Sequence, residues 1–147
     1  MLTMNKLFEI SIERLLKRKQ ILKMSEKIPN GGLENWLQWE LMEALEDAGY
    51  KTALKGKVAQ WGCDIIVDDE VGIELRTASV GNINWLTNAI DKHPKAHLYL
   101  FTFLNRDNSM AREIFERTIT ELGFIYKSDS LTSNTILLVA KRAQDSF

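Results

Sequence analysis

Two carboxylates and a guanidinium are spaced so that one short hairpin can bring them together. Residues 71–78, Val-Gly-Ile-Glu-Leu-Arg-Thr-Ala, alternate with a period of two, so Ile73, Leu75 and Thr77 share one strand face and Glu74 and Arg76 project from the other. Asp64 opens the preceding apolar run, and Asp68-Asp69-Glu70 supplies the turn between the two strands. Pairing about Asp69 sets position 64 opposite position 74, because both lie five residues from the turn centre. Bare carboxylates that close repel one another, and a hard divalent ion such as Mg²⁺ or Mn²⁺ relieves the repulsion through oxygen ligands. Glu34, at the edge of a helical pattern upstream, could supply a third oxygen. The plainer alternative makes Asp64, Glu74 and Arg76 the polar face of a half-exposed hairpin, with Glu74 and Arg76 as an ion pair.

Other chemistries find little support. Cys63 is the single cysteine, which excludes an internal disulfide and every Cys-x-x-Cys pattern, and it reads as a small buried hydrophobe. His93 and His97 are the only histidines; Pro94 lies between them and no Glu follows the first, so they read as turn and strand-start residues rather than as a helical zinc motif. The scattered glycines match neither a phosphate loop, nor a dinucleotide fingerprint, nor a nucleophile elbow.

The elements that must hold the acids follow from periodicity. At 147 residues the chain is the size of one ordinary domain, and 45% hydrophobic with 27% charged residues is a globular composition. The apolar runs are far shorter than the roughly 20 residues of a membrane span, and the basic cluster near the N-terminus follows the apolar residues, the wrong order for a secretory signal. A cytoplasmic protein is expected. Residues 4–26 read as one amphipathic helix, and Ile28-Pro-Asn-Gly-Gly32 breaks it, dividing an N-terminal helical arm (1–30) from an α/β core (31–147). A second helix spans Leu33 to Ala48 and stops at Gly49, with Trp36 in its apolar stripe, Glu34 and Glu40 at the rim of that stripe, and Glu43 and Glu46 outside it. Strands are expected over 50–58, 63–67 and 71–78, then a helix over 82–92, a fully apolar strand over 96–104, a helix over 110–122, and a hairpin of 124–127 with 135–141. The sum is a mixed sheet of four to six strands with helices on both faces.

Net charge is only −1, which argues against a strongly basic nucleic-acid coat, yet the charges come in blocks. Residues 1–27 are basic and residues 34–47 are acidic, blocks that ordinarily mean solvated helix faces. Trp39, Trp61 and Trp85 fit the apolar stripes less well than Trp36, and base stacking or a dimer interface would account for one of them.

The order Glu34-x-x-Leu37-Gln38 in a helix, Gly49-Tyr50, a strand, Gly62-Cys63-Asp64-Ile65-Ile66-Val67, a turn, and Ile73-Glu74-Leu75-Arg76 resembles the PD-(D/E)XK nuclease superfamily, above all its restriction-endonuclease-like domains and archaeal Holliday-junction resolvases. The resemblance covers about residues 31–104. It implies a restriction-endonuclease-like fold and metal-dependent cleavage of phosphodiester bonds in DNA, with RNA left open. Asp64 and Glu74 match the metal-binding acids, Glu34 matches the acid of the first helix, and Arg76 stands where the family has lysine. A guanidinium does not readily lose a proton, so Arg76 would clamp the scissile phosphate rather than act as a base. Lys55 and Lys57 would meet backbone phosphates. The alternative is a nuclease-like fold that has lost its chemistry and binds nucleic acid or a protein. The N-terminal arm, with an apolar stripe too long to leave in water, is expected to make a homodimer, the competing idea being that the stripe folds back onto its own domain with Lys17, Arg18 and Lys19 solvated.

Overall fold

In the computed structural model, which describes residues 1–27, 33–54, 63–78, 84–105 and 110–147, the most apolar segment is a strand with every residue buried, Leu98–Leu104. A strand buried on both faces needs a layer on each side. The elements in chain order are α1 (Met4–Leu16), α2 (Lys19–Ser25), α3 (Leu33–Asp47), β1 (Thr52–Leu54), β2 (Ile65–Val67), β3 (Val71–Ala78), α4 (Asn84–Lys92), β4 (Leu98–Leu104), α5 (Ala111–Glu121), β5 (Phe124–Ser130) and β6 (Thr135–Arg142). They form a six-stranded sheet of order β1-β2-β3-β4-β6-β5. β1, β2 and β3 make an antiparallel meander, β3 and β4 run parallel across the α4 connection, and β4, β6 and β5 are antiparallel.

Side-chain alternation divides the core into two layers. Leu98 and Leu100 of β4 pack with Ile73 and Leu75 of β3 against Leu37, Leu41 and Leu45 of α3. Tyr99, Phe101 and Phe103 face the other way, toward Leu86 and Ala89 of α4 and Phe115 and Ile119 of α5. Helices on both faces of a mixed sheet agree with the sequence expectation. Both glycine stops are also found: Gly49 and Gly123 sit after α3 and α5 at φ 95° and 84°, where a side chain would be strained. The final hairpin is longer than expected, because Ser128, Asp129 and Ser130 pair with Leu138, Leu137 and Ile136 instead of forming the turn. Strand residues beyond Leu54 in the expected 50–58 segment lie outside the described residues, as do Lys55, Lys57 and Trp61. No described helix is long and apolar enough to cross a membrane.

The N-terminal segment departs most from expectation. It is two helices, α1 and α2, separated at Lys17-Arg18, and not one. Leu2, Leu7, Leu15 and Leu22 are each 2% exposed or less and belong to the same core as α3 and the sheet residues Leu137 and Val139. The Met4 N–H donates to the carbonyl of Phe147 at 2.7 Å, tying the start of the chain to its end. Leu7, Leu15 and Leu22 of the expected arm stripe are therefore buried within this chain, while Leu16 is 40% exposed. Polar contacts reinforce the docking: Arg14 donates to Glu43 at 2.6 Å and to Asp47 at 2.5 Å, and Arg18 donates to Glu40 at 3.2 Å. The basic and acidic blocks of the sequence are thus in part each other's partners.

If these helices belong to the core, then Leu7→Ala and Leu22→Ala should each lower unfolding free energy by about 2–5 kcal/mol in urea titrations, as core truncations do. Losses below about 1 kcal/mol for both would mean that the segment is an appendage.

Candidate acidic site

β3 continues past the point where β2 can pair with it, and this explains why two of the three acids are where they are. β2 and β3 pair with Ile65 opposite Ile73, and the Asp64 N–H donates to the Ile73 carbonyl at 3.0 Å. Position 64 therefore lies across from position 74, as the turn spacing requires. Beyond that point the Leu75 N–H donates to Asp64 Oδ2 at 2.9 Å, and the Thr77 backbone N–H acts on the nearby Glu34 carboxylate, favouring its charged form. The Asp64 carboxylate stands in for the strand carbonyl that the ladder lacks. A backbone donor left unmet in a buried place would cost about 1–3 kcal/mol, so this contact has a structural purpose of its own.

Glu74 projects from the opposite face to Ile73 and Leu75, beside Tyr99, and is fully buried. A buried carboxylate needs a charged or donating partner. Among the described residues, Arg76 Nη1 lies 3.6 Å from Oε1, and His93 Nδ1 lies 3.1 Å from Oε2. The same Arg76 Nη1 donates to Glu34 Oε1 at 3.1 Å, and Nη2 meets His93 Nε2 at 3.0 Å. Guanidinium nitrogens only donate, so His93 Nε2 is the acceptor in this contact. One guanidinium thus contacts two carboxylates and an imidazole.

His93 was the residue that the sequence did not reveal, being read as a helix-ending turn residue. It follows the last residue of α4, the connection between the parallel strands β3 and β4, and that connection brings it back over β3. Its segment is fixed from beneath. The Tyr99 hydroxyl donates to the His93 carbonyl at 2.6 Å, and Arg142 donates to the carbonyls of Pro94 and Ala96 and to the Tyr99 hydroxyl at 2.8–3.0 Å. Burial pushes the Tyr99 hydroxyl above its ordinary pKa, which keeps it a donor at neutral pH.

Two carboxylates, Glu34 and Glu74, meet one guanidinium, and Asp64 lies near enough to Glu34 to act on its charge. Burial pushes the Glu34 carboxyl above the ordinary glutamate value of 4.5; Arg76 pulls it back, and the negative charge of Asp64 adds to the rise. The cluster could be balanced by a further cation, but its donors are not arranged for one. Among the described residues no group of three or more His, Cys, Asp or Glu is placed to hold a metal ion. Asp64 and Glu34 each commit an oxygen to β3, and Glu74 faces Arg76 and His93.

Cys63 is buried as expected, its Sγ at 2.7 Å from where a side chain on Gly72 would begin, which is why residue 72 carries none. Trp36 packs partly buried against the core, whereas Trp39 is two-thirds exposed.

Removing the guanidinium strands a buried charge. Arg76→Ala should cost about 2–3 kcal/mol in urea unfolding, less than the roughly 3–5 of a fully buried pair because Arg76 is 29% exposed; a cost under about 1 kcal/mol would show that Glu74 does not depend on it. The raised Glu34 carboxyl gives a second expectation. The folded state holds the proton more tightly than the unfolded state, so this group's contribution to stability is greatest at low pH and falls as pH rises through the window just above 4.5. Unfolding titrations of Glu34→Gln across that window should lack this falling component; an unchanged slope would contradict it. No family model, curated protein or solved structure matches the chain.

Proposed function

We propose that this chain is a nucleic-acid-binding domain built on a nuclease-like core, in which Arg76 takes the place of the metal ion and the acid cluster holds the sheet together instead of cutting a phosphodiester. What carries this is the position of Arg76 Nη1, 3.1 Å from Glu34 and 3.6 Å from Glu74, with Nη2 on His93. A phosphate clamp needs a guanidinium face turned to the ligand, and here the donors are directed into the protein. The contacts of Asp64 with the Leu75 N–H and of Glu34 with Arg76 give these acids a reason to be present without catalysis.

The nucleic-acid part rests on the order of elements. A helix, a three-stranded meander, a connecting helix and a parallel strand agree with the resemblance seen in residues 31–104. The acid cluster lies along the middle of β3, with Glu74 level with Tyr99, the second residue of β4.

A second reading, metal-dependent cleavage of DNA, is favoured by one observation: Glu34 and Glu74 share a single guanidinium, and Glu34 is held above its ordinary pKa by burial and by the nearby charge of Asp64. It requires Arg76 to swing away from Glu34 and Glu74.

Calorimetric titration with Mn²⁺, run beside plasmid nicking in Mg²⁺, separates the two. Wild-type protein should bind duplex DNA, give no saturable Mn²⁺ heat and leave supercoiled plasmid intact. Arg76→Lys should acquire Mn²⁺ binding, because a single ammonium cannot bridge Glu34, Glu74 and His93 together. Mg²⁺-dependent nicking by the wild type that Asp64→Asn abolishes would overturn the proposal and establish the second reading.

A further inference from the structure

The N-terminal basic block is not spent wholly on the acidic block of α3. Arg14 and Arg18 are taken up by Glu40, Glu43 and Asp47, Lys6 pairs with Glu9, and Lys17 pairs with Glu13. Lys19, Lys23 and Lys27 remain: all three are exposed, and none forms an ion pair with a described residue. They recur every fourth residue along α2 and the helical turn that follows it, where the Lys27 N–H donates to the Met24 carbonyl. Residues four apart lie on one side of a helix, so the three ammonium groups form a row roughly 12 Å long.

The one acid within this stretch is turned inward. Glu26 Oε1 accepts from the hydroxyls of Thr132 at 2.5 Å and Thr135 at 2.6 Å, at the tip of the β5–β6 hairpin. Leu22, fully buried, fixes the helix from below. The outward side is thus a rigid row of positive charge on a protein whose net charge is −1. Its place is informative as well. Thr135 pairs with Leu104, the last residue of β4, and β4 runs parallel to β3, whose residue Ala78 is level with Phe103. The C-terminal end of α2 therefore lies at the end of the sheet where β3 and β4 finish.

We infer that the row Lys19, Lys23 and Lys27 is a docking surface for the phosphate backbone of duplex DNA, flanking the carboxyl ends of β3 and β4. The inference rests on the nucleic-acid reading above and adds to it the surface that makes contact. Lysines on a fixed helix bind phosphates as point charges, without reading sequence, so the contact supplies affinity and salt dependence rather than specificity. Ile21 and Met24, 40% and 58% exposed between the lysines, are also what an anionic membrane surface would meet, and the experiment includes that outcome.

The full-length protein is titrated onto fluorescently labelled duplex DNA, and the dissociation constant is followed between about 50 and 200 mM salt. Changing Lys19, Lys23 and Lys27 together to Gln should weaken binding at least about tenfold at the lowest salt and reduce the log–log salt slope by about one per lysine. Lys51→Gln, at the β2–β3 turn and so at the opposite end of β3, should change neither. An unchanged slope in the triple variant, with wild-type binding intact, would overturn this surface while sparing the nucleic-acid reading. Failure of the wild type to bind DNA at low salt would overturn that reading itself, and with it this surface. Lysine-dependent binding to phosphatidylglycerol vesicles in place of DNA would overturn the inference in favour of a membrane surface.

Discussion

A carboxylate with no exposure to solvent, in the third strand of a six-stranded sheet, is the constraint from which the local structure follows. Glu74 lies beside Tyr99 of the central strand, and an unmatched charge there would cost several kcal/mol. Arg76, two residues along, is the nearest cation that the same strand face can present. His93 completes the match from the end of α4, and Arg142 and Tyr99 hold the His93 segment in place. Of the three acids, Glu34 and Glu74 meet Arg76, and Asp64 accepts from the Leu75 N–H.

Most of the architecture was legible in the sequence because it is local. The period-two alternation of residues 71–78 and the apolar run 98–104 identify β3 and β4, the three- and four-residue spacing of Leu37, Leu41, Ala44 and Leu45 identifies α3, and the Asp69 turn sets position 64 opposite position 74. What a pattern cannot show is where a buried stripe finds its partner. Leu7, Leu15 and Leu22 read as an arm needing cover, and the cover proved to be α3 and the sheet of the same chain. The break at Lys17-Arg18 was hidden as well, because no glycine or proline marks it; there Arg18 reaches Glu40 while α2 turns to bury Leu22.

The acid cluster shows a different limit. Its members were identifiable by type and spacing, but their occupation was not. Whether Asp64 is a metal ligand or a cap for the Leu75 N–H depends on how far β2 extends alongside β3, and whether Arg76 faces a ligand or Glu34 depends on where the first turn of α3 comes to rest. Both are long-range facts. His93 was missed for the same reason: its contact with Glu74 arises from the return of a connecting helix, which no local pattern encodes.

The claim on which the account turns is that Arg76 is the resident cation of this centre. A crystal of the wild-type protein grown with Mn²⁺, examined for anomalous scattering, tests it most directly. The account predicts no anomalous peak among Glu34, Asp64 and Glu74, with the Arg76 guanidinium still bridging Glu34 and Glu74. A Mn²⁺ peak bound by Asp64 and Glu74, with Arg76 turned out toward solvent, would contradict it.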